Sequence, residues 1–520
     1  MLTLRDRSYT VYSVNHTTPF FKCFGPLLFG RAPVSAAAEA FAKFSQASSF
    51  SHLRKAFDSY IPNKLFSQNA FGGKTRRRIF SLDVIFWSFL HQIQTPDGSC
   101  REAVRAVSAF LTRIVVSGKT APSISQATSA YCQARNKLPL DMLDQINTHL
   151  VDQMQKQIPA ENLWHGRQVR LIDGTGLSMP DTALNQEKWP QSKSQTPGCG
   201  FPMMNVVGIF CLITGALVKA AYGDRHIHES KLFQSLWPHL QKGELVVTDR
   251  GFCSFGAFAA LKALGVDSLM RLPEKKIRKA IGAHLPKAPQ FDVLVNWKRP
   301  AQRTPKMTAQ EFALLPESID IRVVRYSIVH KGFRTQSVTL VTTLTDAGIP
   351  AEDLATLYGR RWGVELHFRE IKTQLKMDVL RCRSPHMIER ELRMHFIAYN
   401  LVRSVMQKSA LAYNVNLERV SFKGCLDTVR QFAHAISGLE SKPKSIAAMI
   451  DKMLQSIAKD LTPLRPGRSE PRVKKRRPKN YRLMTKPRKE MGNLPHRKVG
   501  VEKHPKKVLT SDILTCGENG

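Results

Sequence analysis

The sequence predicts an α/β protein in which helices pack on a mixed β-sheet, with a helical region before the sheet and a basic tail after it. Three observations lead to this prediction. Short β-type runs alternate with helical patterns over residues 168–272, in the order β, β-β, α, β, α, β, which is typical of a mixed sheet covered by helices. Residues 51–155 carry apolar residues at helical spacing. Residues 464–507 hold 17 lysines and arginines, three glutamates and six prolines, a composition that does not build a packed core.

The chain is strongly basic. Its 520 residues include 78 lysines and arginines against 41 acidic residues, which gives a net charge of +37 and a pI near 10.1. Residues 464–507 contribute +14 of this charge, from 17 basic and three acidic residues, so +23 remains on the rest of the chain. This balance predicts a polyanionic partner, either nucleic acid or an anionic membrane surface. The longest apolar stretch, Val206–Val218, is shorter than the roughly 20 residues of a spanning helix, which favours nucleic acid and no membrane.

Residues 1–50 show no clear periodicity, and a lysine and two prolines interrupt the one apolar run that imitates a signal peptide. Nine cysteines without any C-x-x-C pair argue against a disulfide framework and against a structural zinc site. We therefore predict a cytoplasmic protein with reduced thiols.

The helical region carries basic side chains that suit contact with nucleic-acid phosphates. Arg76, Arg77 and Arg78 directly precede an apolar helical run, SLDVIFWSFL. A solvated basic surface is the alternative interpretation of these residues.

The strand-rich part places two aspartates at the ends of short apolar strands. VRLIDGTGLS begins with an apolar run that ends at Asp173, and the strand LVVT is followed by Asp249. The other elements predicted here are strands at Met204–Leu212, Ala216–Tyr222 and Asp267–Leu272 and helices at Ser230–Leu240 and Phe255–Leu264. Two later β-type runs, Ile319–Val329 and Gln336–Leu344, indicate a β-rich insertion. A long helix is predicted from Ser384-Pro385 to about Tyr413.

The stretch Ala351–Met377, which we call the signature segment, predicts one amphipathic helix. Its polar stripe lies within about 60° at roughly 100° per residue, and it consists of Tyr358, Arg361, Glu365 and Lys372. A neighbouring apolar stripe is predicted to face the core, and it consists of Leu357, Val364, Phe368, Ile371 and Leu375. Glu370 lies about 120° from Tyr358, away from the polar stripe. A solvated helix face with ion pairs is the alternative interpretation.

Folding can bring Asp173, Asp249 and Glu365 together at one edge of the sheet. Carboxylates about 5 Å apart repel by roughly 3 kcal/mol at an effective dielectric near 20, so such a triad needs a cation. Oxygen ligands without cysteine or histidine select a hard ion, Mg²⁺ or Mn²⁺. Two such ions roughly 3.5–4 Å apart support in-line phosphoryl transfer at a phosphodiester. The other side chains of the polar stripe would then hold neighbouring phosphates.

At these motifs the sequence resembles the DDE transposases of the insertion-sequence-4 family. That family carries a Tyr-Arg-Glu-Lys signature with two, three and six residues between its members, and YGRRWGVELHFREIK supplies all four at these spacings. Its first aspartate motif matches LIDGTGLSMPDT, and its second, Asp-Arg-Gly-Phe after a strand, matches VVTDRGFCSF. The resemblance covers roughly residues 51–488.

The resemblance implies an RNase H-like core interrupted by the β-rich insertion, preceded by an all-α domain that binds DNA ends and followed by a disordered basic tail. It implies that Asp173, Asp249 and Glu365 bind two Mg²⁺ ions, which Mn²⁺ can replace, and catalyse phosphodiester hydrolysis and strand transfer in cut-and-paste transposition. The expected partners are double-stranded DNA, as terminal inverted repeats and target, and a second copy of the chain in a synaptic homodimer at the nucleoid. Trp362 and Trp297 are candidates for stacking on a flipped base, with a core position as the alternative for Trp297.

These inferences divide the chain into seven parts. They are an unassigned leader (1–50), a helical DNA-end-binding domain (51–160), the first part of the core (161–272), the insertion (273–345), the second part of the core (346–413), a helical C-terminal region (414–463) and the basic tail (464–520).

Several alternatives stay open. His226 and His228 could face one way on a strand and hold zinc, and Glu229 could be a further acid near the sheet edge. Asp181 and Asp224 compete with Asp173 as the first acid. A stand-alone metal-dependent nuclease would use the same triad, whereas a non-enzymatic DNA-binding protein would explain the charge but not the triad.

Overall fold

The structure, a computed structural model, describes residues 66, 80, 82–95, 98–115, 125–272, 281–303, 307–328, 336–437, 443–464, 483–487 and 490. The predicted leader, the basic triplet Arg76, Arg77 and Arg78, and almost all of the predicted tail lie outside these residues. Within the described residues, no helix is both long enough and apolar enough to cross a lipid bilayer.

Eight strands form one mixed sheet in the order β3-β2-β1-β4-β5-β8-β7-β6. β4 lies between β1 and β5 and runs parallel to both, whereas every other neighbouring pair is antiparallel. The strands are β1 Val169–Ser178, β2 Met203–Cys211, β3 Leu217–Asp224, β4 Leu245–Thr248, β5 Asp267–Arg271, β6 Phe291–Lys298, β7 Ser318–Ile328 and β8 Gln336–Thr342. The mixed α/β fold predicted from the sequence is confirmed.

Helices precede the sheet, cover it and follow it. The α-helices of the described residues are α1 Leu82–Gln94, α2 Cys100–Val115, α3 Ser129–Arg135, α4 Leu140–Lys156, α5 Ala183–Lys188, α6 Glu229–Leu236, α7 Phe255–Ala263, α8 Ala309–Ala313, α9 Ala351–Arg360, α10 Gly363–Arg369, α11 Pro385–Ala412, α12 Phe422–Ser437 and α13 Pro443–Lys459. A π-helical turn at Glu370–Gln374 follows α10, and short 3₁₀ turns lie at Ala160–Asn162, Trp237–His239, Gly282–His284 and Leu417–Arg419.

Both faces of the sheet are buried, because successive strand residues alternate between two hydrophobic cores. On β1, Leu171 packs into the core that contains residues of α1, α4 and α11, whereas Ile172 packs into the core that contains residues of α6 and α7. Both side chains are at most 1% exposed. Strands covered on both faces are expected to be apolar at consecutive positions, as the short runs in the sequence are.

The long helix α11 fixes the turn between β2 and β3. This turn contains Gly215 at φ +68°, a left-handed conformation that favours glycine. The Arg403 side chain on α11 donates two hydrogen bonds to the carbonyl oxygen of Thr214, at 2.9 and 2.6 Å. The Tyr399 hydroxyl donates to the carbonyl oxygen of Gly215 at 2.7 Å. The buried carbonyls of the turn are therefore satisfied by side chains of one helix.

The strands of the predicted insertion belong to the same sheet as β1–β5. The two predicted strands of the insertion correspond to β7 and β8, and β8 pairs with β5 in an antiparallel register from Leu269↔Thr342 to Arg271↔Leu340. β6, which we did not predict, pairs with β7 at the end of the sheet. The sheet thus continues without interruption from β5 into β8, β7 and β6.

The signature segment is not a single helix, so that prediction is wrong. α9 ends at Arg360, α10 begins at Gly363, and the π-turn follows α10. At the joint, the N–H group of Val364 donates to the carbonyl oxygen of Arg361 at 3.0 Å, a bond over three residues instead of four. Glycines at positions 359 and 363 flank the joint, and each lowers local helix stability by about 1 kcal/mol relative to alanine.

The apolar stripe of the signature segment is nevertheless buried as predicted. Every one of its members is at most 5% exposed: Leu357, Val364, Phe368, Ile371 and Leu375. Burial of this stripe holds the two short helices and the π-turn against β1 and the first core.

Candidate active site

Asp173 and Asp249 lie side by side where the parallel pairing of β1 and β4 ends. The last residues in this register are Ile172 and Thr248, so each aspartate is one residue further along its strand. Neighbouring strands are about 4.8 Å apart, which places the two backbones in direct proximity. Asp173 does not end its strand, contrary to the prediction, because β1 continues to Ser178 through its pairing with β2. Since β4 stops earlier, both aspartates still lie at one edge.

Backbone N–H groups orient both aspartates. One oxygen of Asp173 accepts a hydrogen bond from the N–H of Gly174 at 2.8 Å, and one oxygen of Asp249 accepts from the N–H of Gly251 at 2.6 Å. These bonds fix one oxygen of each carboxylate and leave the other for further ligands.

Arg361 connects Glu365 to the first aspartate. Its guanidinium lies 3.6 Å from Asp173 and 3.3 Å from Glu365, and its side chain is 14% exposed. It also lies over the rings of Tyr358 and Trp362, at 5.9 and 5.7 Å from their centroids. The 3.6 Å separation is too long for a hydrogen bond, so the ion pair with Asp173 is a loose one.

Lys372 lies at the other end of the polar stripe. Its ammonium group donates hydrogen bonds to the hydroxyl of Thr175 at 3.1 Å and to the carbonyl oxygen of Gly176 at 3.0 Å. Both acceptors belong to β1, a few residues beyond Asp173. A cavity of about 330 Å³ lies between β1 and the signature segment, and it is lined by Asp173, Gly174, Thr175, Glu365, Phe368, Arg369, Lys372 and Thr373.

Burial and charge both act on the protonation of the site. Burial raises the pKa of Asp173 from its usual 3.8 to about 6. The hydrogen bond from the Gly174 N–H group and the Arg361 cation oppose this rise. The negative charges of Asp249 and Glu365 add to it. Burial also raises the pKa of the Tyr358 phenol to about 12. Tyr358 is therefore a neutral hydrogen-bond donor at physiological pH, and Asp173 is ionised only above about pH 6.

The three acids are close enough to influence one another but do not form a complete metal-binding group in this conformation. In the described ranges, no three acidic, histidine or cysteine side chains converge tightly enough to hold a metal ion. The donor chemistry fits a hard divalent cation, because the nearby ligand atoms are carboxylate oxygens. The Arg361 cation contacts both Asp173 and Glu365, so it occupies part of the space that such an ion would need.

Glu229, an alternative acid in the sequence analysis, lies near this edge but on the face of β1 opposite to the Asp173 side chain, because side chains alternate along the strand. Its carboxylate lies against Gly174, and burial and the negative charge of Asp249 both raise its pKa. Two competing acids make other bonds: Asp181 accepts from the side chain of Gln186 at 2.8 Å, and Asp224 accepts from the backbone N–H at position 226 at 2.7 Å. The glycine after Asp173 is the one sequence signal for this close approach.

The two candidate tryptophans differ in their environment. Trp362 is 48% exposed at the joint of the signature segment, beside Arg361. Trp297 is 1% exposed and packs edge-on against Phe255 and Phe258, at ring distances of 5.5 and 5.8 Å. Trp297 is therefore a core residue, as the alternative interpretation had it, and its assignment to base stacking is wrong.

Comparisons with known proteins show similarity to transposases. Residues 164–401, which include all three acids, match the family model of the transposase DDE domain. The chain is 28% identical over 361 residues to the transposase InsG for insertion sequence element IS4 of Escherichia coli strain K12. The alignment covers 68% of this chain and 78% of that protein. It is also 29% identical over 124 residues to the probable transposase for insertion sequence element IS5377 of Geobacillus stearothermophilus, over 24% of this chain and 31% of that protein. A third match, 32% identical over 72 residues, is to the transposase for insertion sequence element IS421 of Escherichia coli, over 14% of this chain and 19% of that protein. The chain is therefore similar to transposases of insertion sequence elements, and its residues 164–401 match a transposase DDE domain.

Proposed function

We propose that this protein is a DDE transposase that acts on double-stranded DNA at the ends of an insertion sequence by metal-dependent phosphoryl transfer, in a cut-and-paste reaction. In this proposal Asp173, Asp249 and Glu365 hold divalent cations on an RNase H-like core. The observation that carries the proposal is the position of the two aspartates, each one residue beyond the last parallel pair of β1 and β4, with Arg361 linking Glu365 to the first of them.

The donor set favours Mg²⁺, with Mn²⁺ as a substitute, because both ions prefer carboxylate oxygens. When bound, two such ions would activate water or a 3′-hydroxyl group and stabilise the leaving oxygen. Asp173 and Asp249 each have one carboxylate oxygen at the sheet edge that accepts no backbone hydrogen bond from the described residues and could bind these ions. Asp173 must also be ionised, so cation binding is expected to strengthen as the pH rises through about 6.

The polar stripe supplies contacts for the DNA backbone. Arg361 is loosely paired, so a phosphate can replace its carboxylate partners and accept two of its N–H groups. Tyr358 stays protonated and donates its hydroxyl hydrogen to a phosphate oxygen. Lys372 adds positive charge at the end of the cavity, and Trp362 offers an exposed ring for a base.

The charge of the chain supports DNA as the partner. The net charge of +37 provides the electrostatic attraction on which sequence-independent DNA binding depends. The basic triplet Arg76, Arg77 and Arg78 and the basic tail, which lie almost entirely outside the described residues, are also proposed to contact DNA. Binding of two inverted repeats by a homodimer, and an association with the nucleoid, are parts of the same proposal.

The substitution Glu365→Gln tests the assignment, with Glu352→Gln as the matched control. Glu352 lies on the exposed face of the first turn of α9, in the same segment but outside the polar stripe. Both variants would be incubated with Mg²⁺ and a duplex that carries the terminal repeat of the element, and nicked and joined products would be separated on denaturing gels. Glu365→Gln should lower the cleavage rate by about 100-fold or more, as loss of a preorganised electrostatic group does, whereas Glu352→Gln should keep it.

Two results would contradict the proposal. Undiminished Mg²⁺-dependent cleavage by Glu365→Gln would show that the wrong acid was assigned. Cleavage by the unsubstituted protein without any joining of the liberated 3′-end to target DNA would indicate a stand-alone nuclease.

A further inference from the structure

A cavity of about 330 Å³ lies between α1, α2 and α3, the end of the signature segment and α11, and a thiol that the proposed function does not use is part of its wall. This thiol belongs to Cys100, which is partly exposed and is the first residue of α2. The hydroxyl of Ser99 caps this helix by accepting a hydrogen bond from the N–H of Glu102 at 3.0 Å. The N-terminus of a helix carries partial positive charge, which stabilises a thiolate.

The amide of Gln92 on α1 connects this thiol to a buried cation. Its oxygen accepts hydrogen bonds from the Arg135 guanidinium and from the Tyr131 hydroxyl, both at 2.8 Å. These two donors fix the orientation of the amide, so its NH₂ group must point the other way. This group donates to the carbonyl oxygen of Gly98 at 2.9 Å and to the sulfur of Cys100 at 3.6 Å.

Arg135 on α3 lines the same cavity and is only 7% exposed. Its guanidinium lies over the rings of Phe89 and Tyr131, at 4.6 and 5.4 Å from their centroids. In the part of the chain that the structure describes, its Nε atom has no hydrogen-bond partner, and no carboxylate forms an ion pair with it. A buried cation is unfavourable without a negative partner, and a thiolate at position 100 would supply one.

The surroundings of Cys100 lower the pKa of its thiol to about 5. The hydrogen bond with the Cys132 thiol has the largest effect, the charge of Arg135 and the bonds from Arg135 and Gln92 add to it, and burial opposes them. The same thiol–thiol bond and burial raise the pKa of Cys132. Cys132 is therefore the donor and Cys100 the acceptor in this bond.

The other titratable side chains of the cavity also favour an anionic sulfur. Glu391 is buried, and its carboxylate accepts hydrogen bonds from the backbone N–H groups of Arg381, at 2.8 and 3.0 Å, and of Cys382, at 2.8 Å. His395 is neutral, because burial lowers its pKa to about 3. Lys376 and Arg381 add positive charge to the wall, so its cations outnumber its one carboxylate.

We propose that Cys100 is a reactive thiolate that hydroperoxides oxidise to a sulfenic acid. The sulfur attacks the hydroxyl oxygen of the peroxide, so that an S–O bond forms as the O–O bond breaks. Sulfur loses two electrons to the peroxide, and the second oxygen leaves as hydroxide or alkoxide and takes a proton from water. The sulfenic acid is neutral, so the reaction removes the negative charge that faces Arg135. The modified residue lies where α1, α2 and α3 pack together.

A cysteine without this role would react with a different pH dependence. An ordinary thiol has a pKa of about 8.5, so its rate of alkylation rises about 50- to 100-fold between pH 6 and pH 8. Cys100 is a thiolate throughout this range, so its rate should change by less than about 2-fold. The pH profile is a better measure than the absolute rate, because thiolates of low pKa are intrinsically weaker nucleophiles.

The test uses the full chain and measures each cysteine separately. Iodoacetamide would be added briefly at pH 6, 7 and 8, and peptide mass spectrometry would give the labelled fraction of every cysteine. In Cys132→Ala and in Arg135→Gln, the Cys100 rate should rise about 5-fold or more over this range, because each variant lacks a group that stabilises the thiolate. Arg105→Gln, on the exposed face of α2, is the matched control and should keep the flat profile. If Arg135→Gln does not fold, as judged by circular dichroism, Cys132→Ala decides.

Oxidation would be followed with hydrogen peroxide in the presence of dimedone, which traps sulfenic acids. Cys100 should carry most of the dimedone label in the unsubstituted protein. A Cys100 alkylation rate that rises with pH as steeply as that of free cysteine would overturn the proposal, and so would a flat profile without a dimedone label on Cys100. Neither measurement involves DNA or Mg²⁺, so both are independent of the proposed function.

Discussion

Replacing Asp173 with asparagine should stabilise the metal-free protein at neutral pH. The pKa of this carboxyl group rises from 3.8 to about 6 on folding, chiefly because the group is buried, and its side chain is 21% exposed. The folded state therefore binds the proton more tightly than the unfolded state. Asp173 contributes stability that is fully present below about pH 4 and is lost as the pH rises through 6. At ~1.4 kcal/mol per pH unit, the loss amounts to about 3 kcal/mol.

The asparagine variant cannot ionise, so it should escape this loss. Urea unfolding in the presence of a chelator would give the free energy of unfolding at pH 4, 5, 6 and 7.5 for Asp173→Asn and for the unsubstituted protein. The stability advantage of Asp173→Asn at pH 7.5 over that at pH 4 should be about 2–3 kcal/mol. Other groups titrate in this range, but they affect both proteins equally. A difference between Asp173→Asn and the unsubstituted protein that stays constant with pH, or that shrinks as the pH rises, would refute the assigned environment of Asp173.

Two further predictions concern the polar stripe and the tryptophans. Lys372→Met should lower the free energy of unfolding by about 1–3 kcal/mol in urea titrations, because two hydrogen bonds from a charged donor to β1 are lost. The exposed control Lys193→Met should have no effect. Equal stability of both variants would show that the two bonds are not formed. Trp297→Ala should lower the free energy of unfolding by about 3–5 kcal/mol, because it leaves a cavity. Trp362→Ala should lower it by less than about 1 kcal/mol but weaken binding of a short DNA duplex in fluorescence titrations. The reverse pattern would exchange the two assignments.

The strands and the buried face of the signature segment were predictable because their signal is local. Short apolar runs bounded by turn residues predict buried strands wherever they pair, so β1, β2, β4 and the two longer strands of the insertion were found from the sequence. Asp249 was placed correctly for the same reason, since the run before it ends where β4 ends. β6 was missed although its less exposed residues alternate with exposed ones along the whole strand, a pattern that its sequence also carries.

The details of the site were not predictable because they depend on residues far apart in the chain. The end of β1 is set by its partner β2, which continues past the end of β4, and no local pattern records that difference. The contact between Glu229 and Gly174 joins residues 55 positions apart through the packing of α6 on the sheet. The joint in the signature segment has a local signal, its two glycines, but a uniform helical period assumed over residues 351–377 conceals it.

The joint and the π-turn determine how the polar stripe meets β1. A regular helix would have left Arg361 and Lys372 on one straight face. In the broken segment, Arg361 contacts Asp173, whereas Lys372 contacts Thr175 and Gly176. Both cations therefore contact consecutive parts of the same strand. Glu365 lies between them and is the least constrained of the three acids. Its side chain is 43% exposed, and its ion pair with Arg361 spans 3.3 Å. Both aspartates, by contrast, accept hydrogen bonds from backbone N–H groups. Completion of a cation site therefore requires movement mainly of Glu365 and Arg361, while the sheet edge stays in place. Short π-helical turns often occur at functional sites, and here the turn lets Lys372 reach β1 without carrying Glu365 away from the aspartates.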